Sequence, residues 1–239
     1  MPLIAAYHRP TSLDEAVDLL QAPNRIVLAG GTVVNADRAP SDLEVVDLQS
    51  LGLDTIEHDG DRVRIGAMAT LAAGGDADAV PAWMRTIARA EAPSTLRSLA
   101  TIGGTVAAGS GESLLLAALL VADARVELAG AEQRGLAELL ATGVPEGAVI
   151  TAVTIDPGGT AAEAHTARTP ADAPIVAAVA RTSNGTTALA LTGVADTPVL
   201  VDPLDPSAGL TPPADFRGTA EYRLELARIL GARAVEAIR

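Results

Sequence analysis

The longest unbroken apolar run in this chain, Leu114 to Ala122, is too short for a membrane and too greasy for a surface. A bilayer-spanning helix needs about 20 such residues. The run therefore reads as a core helix over Leu114 to Val121. The stretch before it, residues 96–113, is LRSLATIGGTVAAGSGES, nearly all small side chains. A segment of this kind is either a tight turn between core elements or a place where a ligand touches backbone.

Composition removes much of the available chemistry. With 239 residues the chain buries a sizeable core and has room for two modest domains. It has no Cys, which excludes disulfides, a thiol nucleophile and cysteine ligation of an iron–sulfur cluster in this chain. All 17 basic residues are Arg, so Schiff-base lysines and the P-loop lysine are absent. His8, His58 and His165 are scattered and match no metal-ligand spacing. A net charge of −13 argues against nucleic acid as a partner, and one Phe, one Trp and two Tyr make no stacking platform. The start, MPLIAAYHRP, lacks the basic flank and apolar stretch of a secretory signal, so a cytoplasmic protein without a membrane span is expected.

Along the chain, Ser12-Leu13-Asp14-Glu15 forms a capping box for a helix with Leu13, Ala16, Val17 and Leu20 on one face. Strands are expected at Arg25 to Ala29 and at Glu44 to Leu48, giving a βαβ-like unit with Gly30-Gly31 at a strand end. Ile56 to His58 and Val63 to Ala67 flank a turn at Asp59-Gly60-Asp61, a hairpin. A helix is expected over Pro81 to Ala90 with Trp83, Ile87 and Ala90 on one side, then strands at Arg125 to Leu128 and Ala148 to Ile155. Asp156-Pro157-Gly158-Gly159-Thr160 reads as a linker. Beyond it, Ile175 to Thr182 and Thr187 to Gly193 flank Asn184-Gly185, a hairpin signal. A final helix over Thr219 to Ile238 carries Leu226, Ile229, Leu230, Ala234 and Ile238 on one side.

Two segments share one design: Ala29-Gly30-Gly31-Thr32 and Thr101-Ile102-Gly103-Gly104-Thr105. Glycine lets backbone N–H groups approach a ligand, and successive N–H groups form an anion site without a basic side chain. A pyrophosphate held between two such loops is one reading, and a pair of plain turns is the other. Neither segment matches GxGxxG, which disfavours a Rossmann site. Glu112, between Ser110 and Ser113, is placed to cap the following helix. No side chain stands out as a catalytic acid, base or nucleophile, which suits a protein whose cofactor does the chemistry.

In this order the motifs resemble the flavin-binding medium subunit of molybdenum hydroxylases, the carbon-monoxide and xanthine dehydrogenase families. The resemblance rests on residues 7–16 (YHRPTSLDEA), Ala29 to Thr32, Val46-Asp47-Leu48, residues 65–70 (IGAMAT), Leu96-Arg97, Thr101 to Gly104, Ala117 to Val126 and residues 215–223 (DFRGTAEYR). It implies a mixed α/β and α+β protein: a PCMH-like FAD-binding fold of two α/β subdomains over 1–158 (about 1–55 and 56–158), then a C-terminal α+β domain over 163–239. By the same resemblance, Ala29, Gly30, Gly31, Thr32, Val33, Thr101, Gly103, Gly104 and Thr105 hold the FAD pyrophosphate. Ala100, Ser113 and Leu114 lie along the cofactor, and Ile150, next to Val149, borders the adenine. Partners are implied too: a large molybdenum-cofactor subunit and a small subunit with two [2Fe–2S] clusters, assembled as a dimer of heterotrimers. Electrons then pass from those clusters through FAD to an external acceptor.

The chain departs from the family pattern in places. Val33 follows AGGT where Asp or Ser is usual, Thr105 replaces Asn, and Leu114 stands at the Asp that contacts FAD hydroxyls. Glu112, two residues earlier, is the candidate substitute for that Asp. Two other readings stay open on the sequence: an assembly subunit that has weakened or lost FAD, and a standalone flavoprotein oxidoreductase.

Overall fold

The computed structural model describes residues 4–34, 42–130, 132–167 and 172–239. The first strand, β1 (Ala6–His8), is only three residues long and leads into α1 (Leu13–Leu20). The Ser12 hydroxyl accepts the Glu15 amide at 3.2 Å. The Glu15 carboxylate reaches back one residue further than a standard capping box, accepting the Thr11 amide at 2.8 Å. After α1 come β2 (Arg25–Leu28) and β3 (Glu44–Asp47), and the three strands form a parallel sheet in the order β1-β3-β2. Strand β1 was not expected, because three residues are too few to show alternation.

The hairpin β4 (Ile56–Asp59) and β5 (Arg62–Gly66) forms as the turn residues require, with Gly60 at φ 61°. Six helices and three strands follow. They are α2 (Leu71–Asp76), α3 (Ala82–Ala90), α4 (Ser94–Arg97), α5 (Ile102–Ala108), α6 (Leu114–Val121), β6 (Arg125–Leu128), β7 (Glu132–Gly135), α7 (Leu136–Thr142) and β8 (Ile150–Ile155). The strands pair antiparallel in the order β4-β5-β8-β6-β7. Every residue of α6 is buried. It packs against α3 on one side and against later strands on the other, which is why it carries no polar face.

Those later strands are β9 (Thr160–Thr166), β10 (Val176–Ser183), β11 (Thr186–Thr192) and β12 (Val199–Val201), an antiparallel sheet in the order β12-β11-β10-β9 covered by α8 (Ala220–Glu236). Asn184 and Gly185 turn the β10–β11 hairpin at φ 51° and 77°. Ala177, Val179 and Ala190 of this sheet share one hydrophobic cluster with α6. Buried Arg181 strengthens the contact: its Nη1 donates to Val121 O at 2.9 Å and its Nε to Gly158 O at 2.8 Å.

Two helix faces differ from expectation. In α3 the buried side is Met84, Ile87 and Ala88, while Ala90 is exposed and Trp83 half-buried. Packing against both α2 and α6 rotates the buried stripe by about one position. In α8 the centre of the buried face is Arg223, Ala227, Leu230, Gly231, Ala234 and Val235, and the larger Leu226, Ile229 and Ile238 lie at its edges. The reason is close approach. A Cβ on Gly231 would stand 2.6 Å from Pro206 Cβ, so the helix docks through its small residues. Arg223 is accommodated because Nη1 donates to Gly193 O at 2.7 Å and Ile175 O at 3.0 Å, and Nη2 to Asp215 at 2.7 Å.

Candidate functional site

Beyond the end of β2 the chain leaves the parallel sheet as Ala29-Gly30-Gly31-Thr32 and enters the wall of a cavity of about 340 Å³. Gly31 has φ 70°, a conformation that favours glycine. Gly30 is glycine for space: a Cβ there would lie 1.8 Å from Leu99 O. The first glycine segment therefore packs backbone on backbone against Leu99 and Ala100, which lead into the second. From Ala29 to Val34 no backbone amide donates to another described residue. Thr32, Val33 and Val34 complete this wall, with Val33 exposed at the mouth.

The second segment behaves differently from the first. Residues Thr101 to Thr105 are no loop but the start of α5, with Thr101 as its N-cap. The Thr101 hydroxyl accepts the Gly104 amide at 3.1 Å, and the Gly103 amide donates to Ala67 O at 2.8 Å. The Ile102 amide donates to Ala69 O and the Thr105 amide to Thr101 O, each at 2.9 Å. Ile102 to Thr105 thus spend their amides within the protein. Gly103 is required for contact with β5's exit, since a Cβ would stand 2.6 Å from Ala67 Cβ. What the segment contributes is a thin wall: Ala100, Thr101, Gly103, Gly104 and Thr105 all line the cavity.

The third wall is the start of α6. The Ser113 side chain is its N-cap, accepting the Leu116 amide at 3.1 Å, and its hydroxyl donates to Glu91 Oε1 at 2.5 Å. Glu91 Oε2 accepts the Leu115 amide at 2.8 Å. Both Ser113 and Glu91 line the cavity. Burial pushes the Glu91 carboxyl above the ordinary range, opposed by these hydrogen bonds. Apolar surface from Val27, Leu48, Met68, Val144, Ala148 and Ile150 closes the rest.

Glu112 and Leu114 are not brought into this site. Leu114 is buried in the first turn of α6, 6% exposed, and joins the core. Glu112 forms an ion pair with Arg217 and does not cap α6. It is drawn away because the Gly111 backbone packs on the C-terminal sheet, with Gly193 N donating to Gly111 O at 2.7 Å. A Cβ on Gly111 would stand 2.5 Å from Ala195 O. Val149, beside lining residue Ile150, is fully buried. Glu91 escaped the sequence reading because its partners lie 22 and 24 residues away, and no local pattern marks it.

Among the described lining residues Glu91 is the one ionisable group, and there is no cation. Among the described residues no cluster of acids and histidines is fit to hold a metal. The cavity offers backbone amides that donate to no described residue beside a left-handed glycine, a slot whose walls are backbone, apolar flanks and a few hydroxyls. That donor set suits a large cofactor with an anionic linkage and a flat apolar part. The linkage would rest on amide dipoles alone.

Comparison with known proteins agrees. Residues 3–155 match the family described as the FAD binding domain in molybdopterin dehydrogenase. The carbon monoxide dehydrogenase medium chain of Afipia carboxidovorans is 31% identical, over 96% of this chain and 95% of that protein. The uncharacterised protein YgfM of Escherichia coli K12 is 30% identical, over 96% of this chain and 95% of its own. A reconstituted carbon-monoxide dehydrogenase from Oligotropha carboxidovorans superimposes with a TM-score of 0.86 at 28% identity, over 100% of this chain and 98% of that one. No helix among the described residues is long and apolar enough to cross a membrane.

Proposed function

Since this chain belongs to the family of FAD-binding medium subunits of molybdenum hydroxylases, we propose that it takes electrons from [2Fe–2S] clusters of a small partner subunit and passes them through FAD to an external acceptor. A large subunit would carry the molybdenum cofactor, and the three chains would pair as a dimer of heterotrimers. The observation that carries the reading is the backbone of Ala29 to Val34, none of whose amides donates to another described residue, lining a cavity whose other wall is Ala100, Thr101, Gly103, Gly104 and Thr105.

When bound, FAD supplies one- and two-electron redox chemistry, which no side chain here can provide. The chain's own part is to bind and to shield. Amides of the first glycine segment hold the pyrophosphate, and Gly31 keeps them pointing one way. Gly103 and Gly104 hold the facing wall back so that the cofactor fits between. Val27, Leu48, Met68 and Ile150 exclude water from its apolar portion. Clusters must come from a partner, because this chain has no cysteine to ligate them.

A second reading, a subunit that holds FAD weakly and serves chiefly in assembly, draws on two observations. The amides of Ile102 to Thr105 are spent within the protein, and no cation stands among the described lining residues. One preparation separates the two. The chain is purified alone and with the products of neighbouring genes, and the visible spectrum, metal content and subunit ratio are recorded. A flavin spectrum in a complex containing iron and molybdenum is expected. A colourless complex that takes up no added FAD would sink the electron-transfer reading, and a yellow, active chain that never associates with other subunits would replace it with a standalone flavoprotein.

A further inference from the structure

Glu91 is an odd residue to find in the wall of a cavity that receives an anion. It sits just beyond α3, where its carboxylate meets the start of α6. The Ser113 hydroxyl and the Leu115 amide donate to it. These occupy part of the roughly four acceptor positions of a carboxylate, and the residue lines the cavity. No cation stands among the described lining residues; the positive end of α6 and its two donors favour the charge.

The lining hydroxyls of α5, the Ser110 loop and the α6 cap are differently placed, and Thr32 adds a neutral hydroxyl on the opposite wall. The Thr105 hydroxyl donates to Thr101 O at 3.0 Å, and Thr101 Oγ1 takes the Gly104 amide at 3.1 Å. Ser113 gives its proton to Glu91, and Ser110 Oγ accepts the Glu112 amide at 3.4 Å. A ligand that enters with several hydroxyl groups brings donors. Among the described lining side chains Glu91 is the one charged acceptor they meet. Hydrogen bonds to a charged acceptor are roughly twice as strong as neutral ones.

We propose that Glu91 is the hydroxyl-reading residue of the cofactor site: its carboxylate accepts a hydrogen bond from a sugar-alcohol hydroxyl of the bound FAD, while its other contacts cap α6. The role rests on FAD being the ligand of this cavity. It also accounts for a site that holds an anionic cofactor yet keeps an acid in its wall, since the acid meets neutral hydroxyls and the amides of the first glycine segment meet the phosphates. FAD carries hydroxyls on its ribityl chain and on its ribose, and the chemistry is the same for either.

The test is a fluorescence titration of FAD into flavin-free full-length protein, with ADP and riboflavin as separate ligands. Glu91→Gln is close to isosteric, and its amide oxygen can still accept the Leu115 amide. It is expected to bind FAD at least tenfold more weakly than wild type with an unchanged circular dichroism spectrum. Riboflavin affinity falling in parallel assigns the contact to the ribityl chain; ADP affinity falling in parallel assigns it to the ribose. An affinity for FAD within twofold of wild type, together with a lowered melting temperature, makes Glu91 a helix cap only and overturns the proposal. If Glu91→Gln does not fold, Glu91→Asp keeps the charge but draws it back by one methylene. A several-fold loss of FAD affinity is expected there, and no loss overturns the proposal. Wild-type protein that binds no FAD would overturn the reading of the cavity itself, a result distinct from an unaffected variant.

Discussion

The four glycines that look alike in sequence do three different jobs. Gly31 alone needs its backbone freedom, Gly30 and Gly103 need the absence of a side chain, and Gly104 faces its own cap, where a Cβ would lie 2.9 Å from Thr101 Oγ1. Different substitutions should therefore fail in different ways. Gly31→Val imposes about 1–2 kcal/mol of left-handed strain on the amide-bearing loop; flavin retention should be lost while the circular dichroism spectrum is kept. Gly103→Val forces side-chain atoms into Ala67 and should destabilise the fold itself by about 1–3 kcal/mol in urea titrations. Glu112→Gln removes the charge from a pair that is partly exposed on the glutamate side and mostly buried on the Arg217 side. It should leave FAD affinity within twofold; a tenfold loss would restore Glu112 to the site from which the structure removes it.

At the scale of elements, α6 is the beam on which the cavity and the C-terminal sheet both rest. Its apolar sequence is uninformative about direction or neighbours, so its capping decides where it begins. Ser113→Ala removes both a cap acceptor and the proton given to Glu91, and a loss of about 1 kcal/mol in denaturant stability is expected. Element α8 depends on a buried cation in the same way. Arg223→Met would leave the carbonyls of Ile175 and Gly193 without their donor, and removing a satisfied pair of this kind costs about 1–3 kcal/mol. The β9–β12 sheet should then exchange its amides faster than β4–β8, as measured by hydrogen exchange. Binding of FAD to the cavity should survive.

At the scale of the whole molecule, the C-terminal sheet is part of the core rather than an appendage. It covers α6 through Ala177, Val179 and Ala190 and locks it with Arg181. A chain ending at residue 158 would expose one side of a helix that is apolar all round, and should aggregate rather than fold. Recovery of a soluble, cooperatively melting 1–158 fragment would contradict this. Ion pairs across these units also set the acid limit. The Arg223 hydrogen bond, then the Arg217 and Gly218 amides, hold Asp215 below its ordinary range. For Asp156, burial raises the carboxyl, but the Arg181 and Gly158 hydrogen bonds outweigh it and the net direction is down. A carboxyl lowered in the folded state adds stability above its unfolded pKa and loses it as pH falls through the folded value. Urea midpoints should thus hold from neutrality to about pH 4 and drop below it. Asp156→Asn should flatten that drop.

Local patterns in the chain were enough for the capping box at Ser12, both hairpins, the α6 run and the membership signalled by ordered motifs, because each depends on neighbours within a few residues. The same locality explains the misses. Thr101-Ile102-Gly103-Gly104-Thr105 has the composition of a loop, and only contact with Ala67, Ala69 and Leu99 makes it a helix start whose amides point inward. Glu91 and Glu112 exchanged importance for a similar reason. One is a lone acid in a polar stretch until α6 is laid across it, and the other sits in the motif but is pulled to Arg217 by packing at Gly111. Sequence determined which segments are helix, strand or turn and what family they compose. Tertiary structure alone decided which amides bond within the described residues and which acid lines the cavity, because hydrogen-bond satisfaction is settled by residues far apart in the chain.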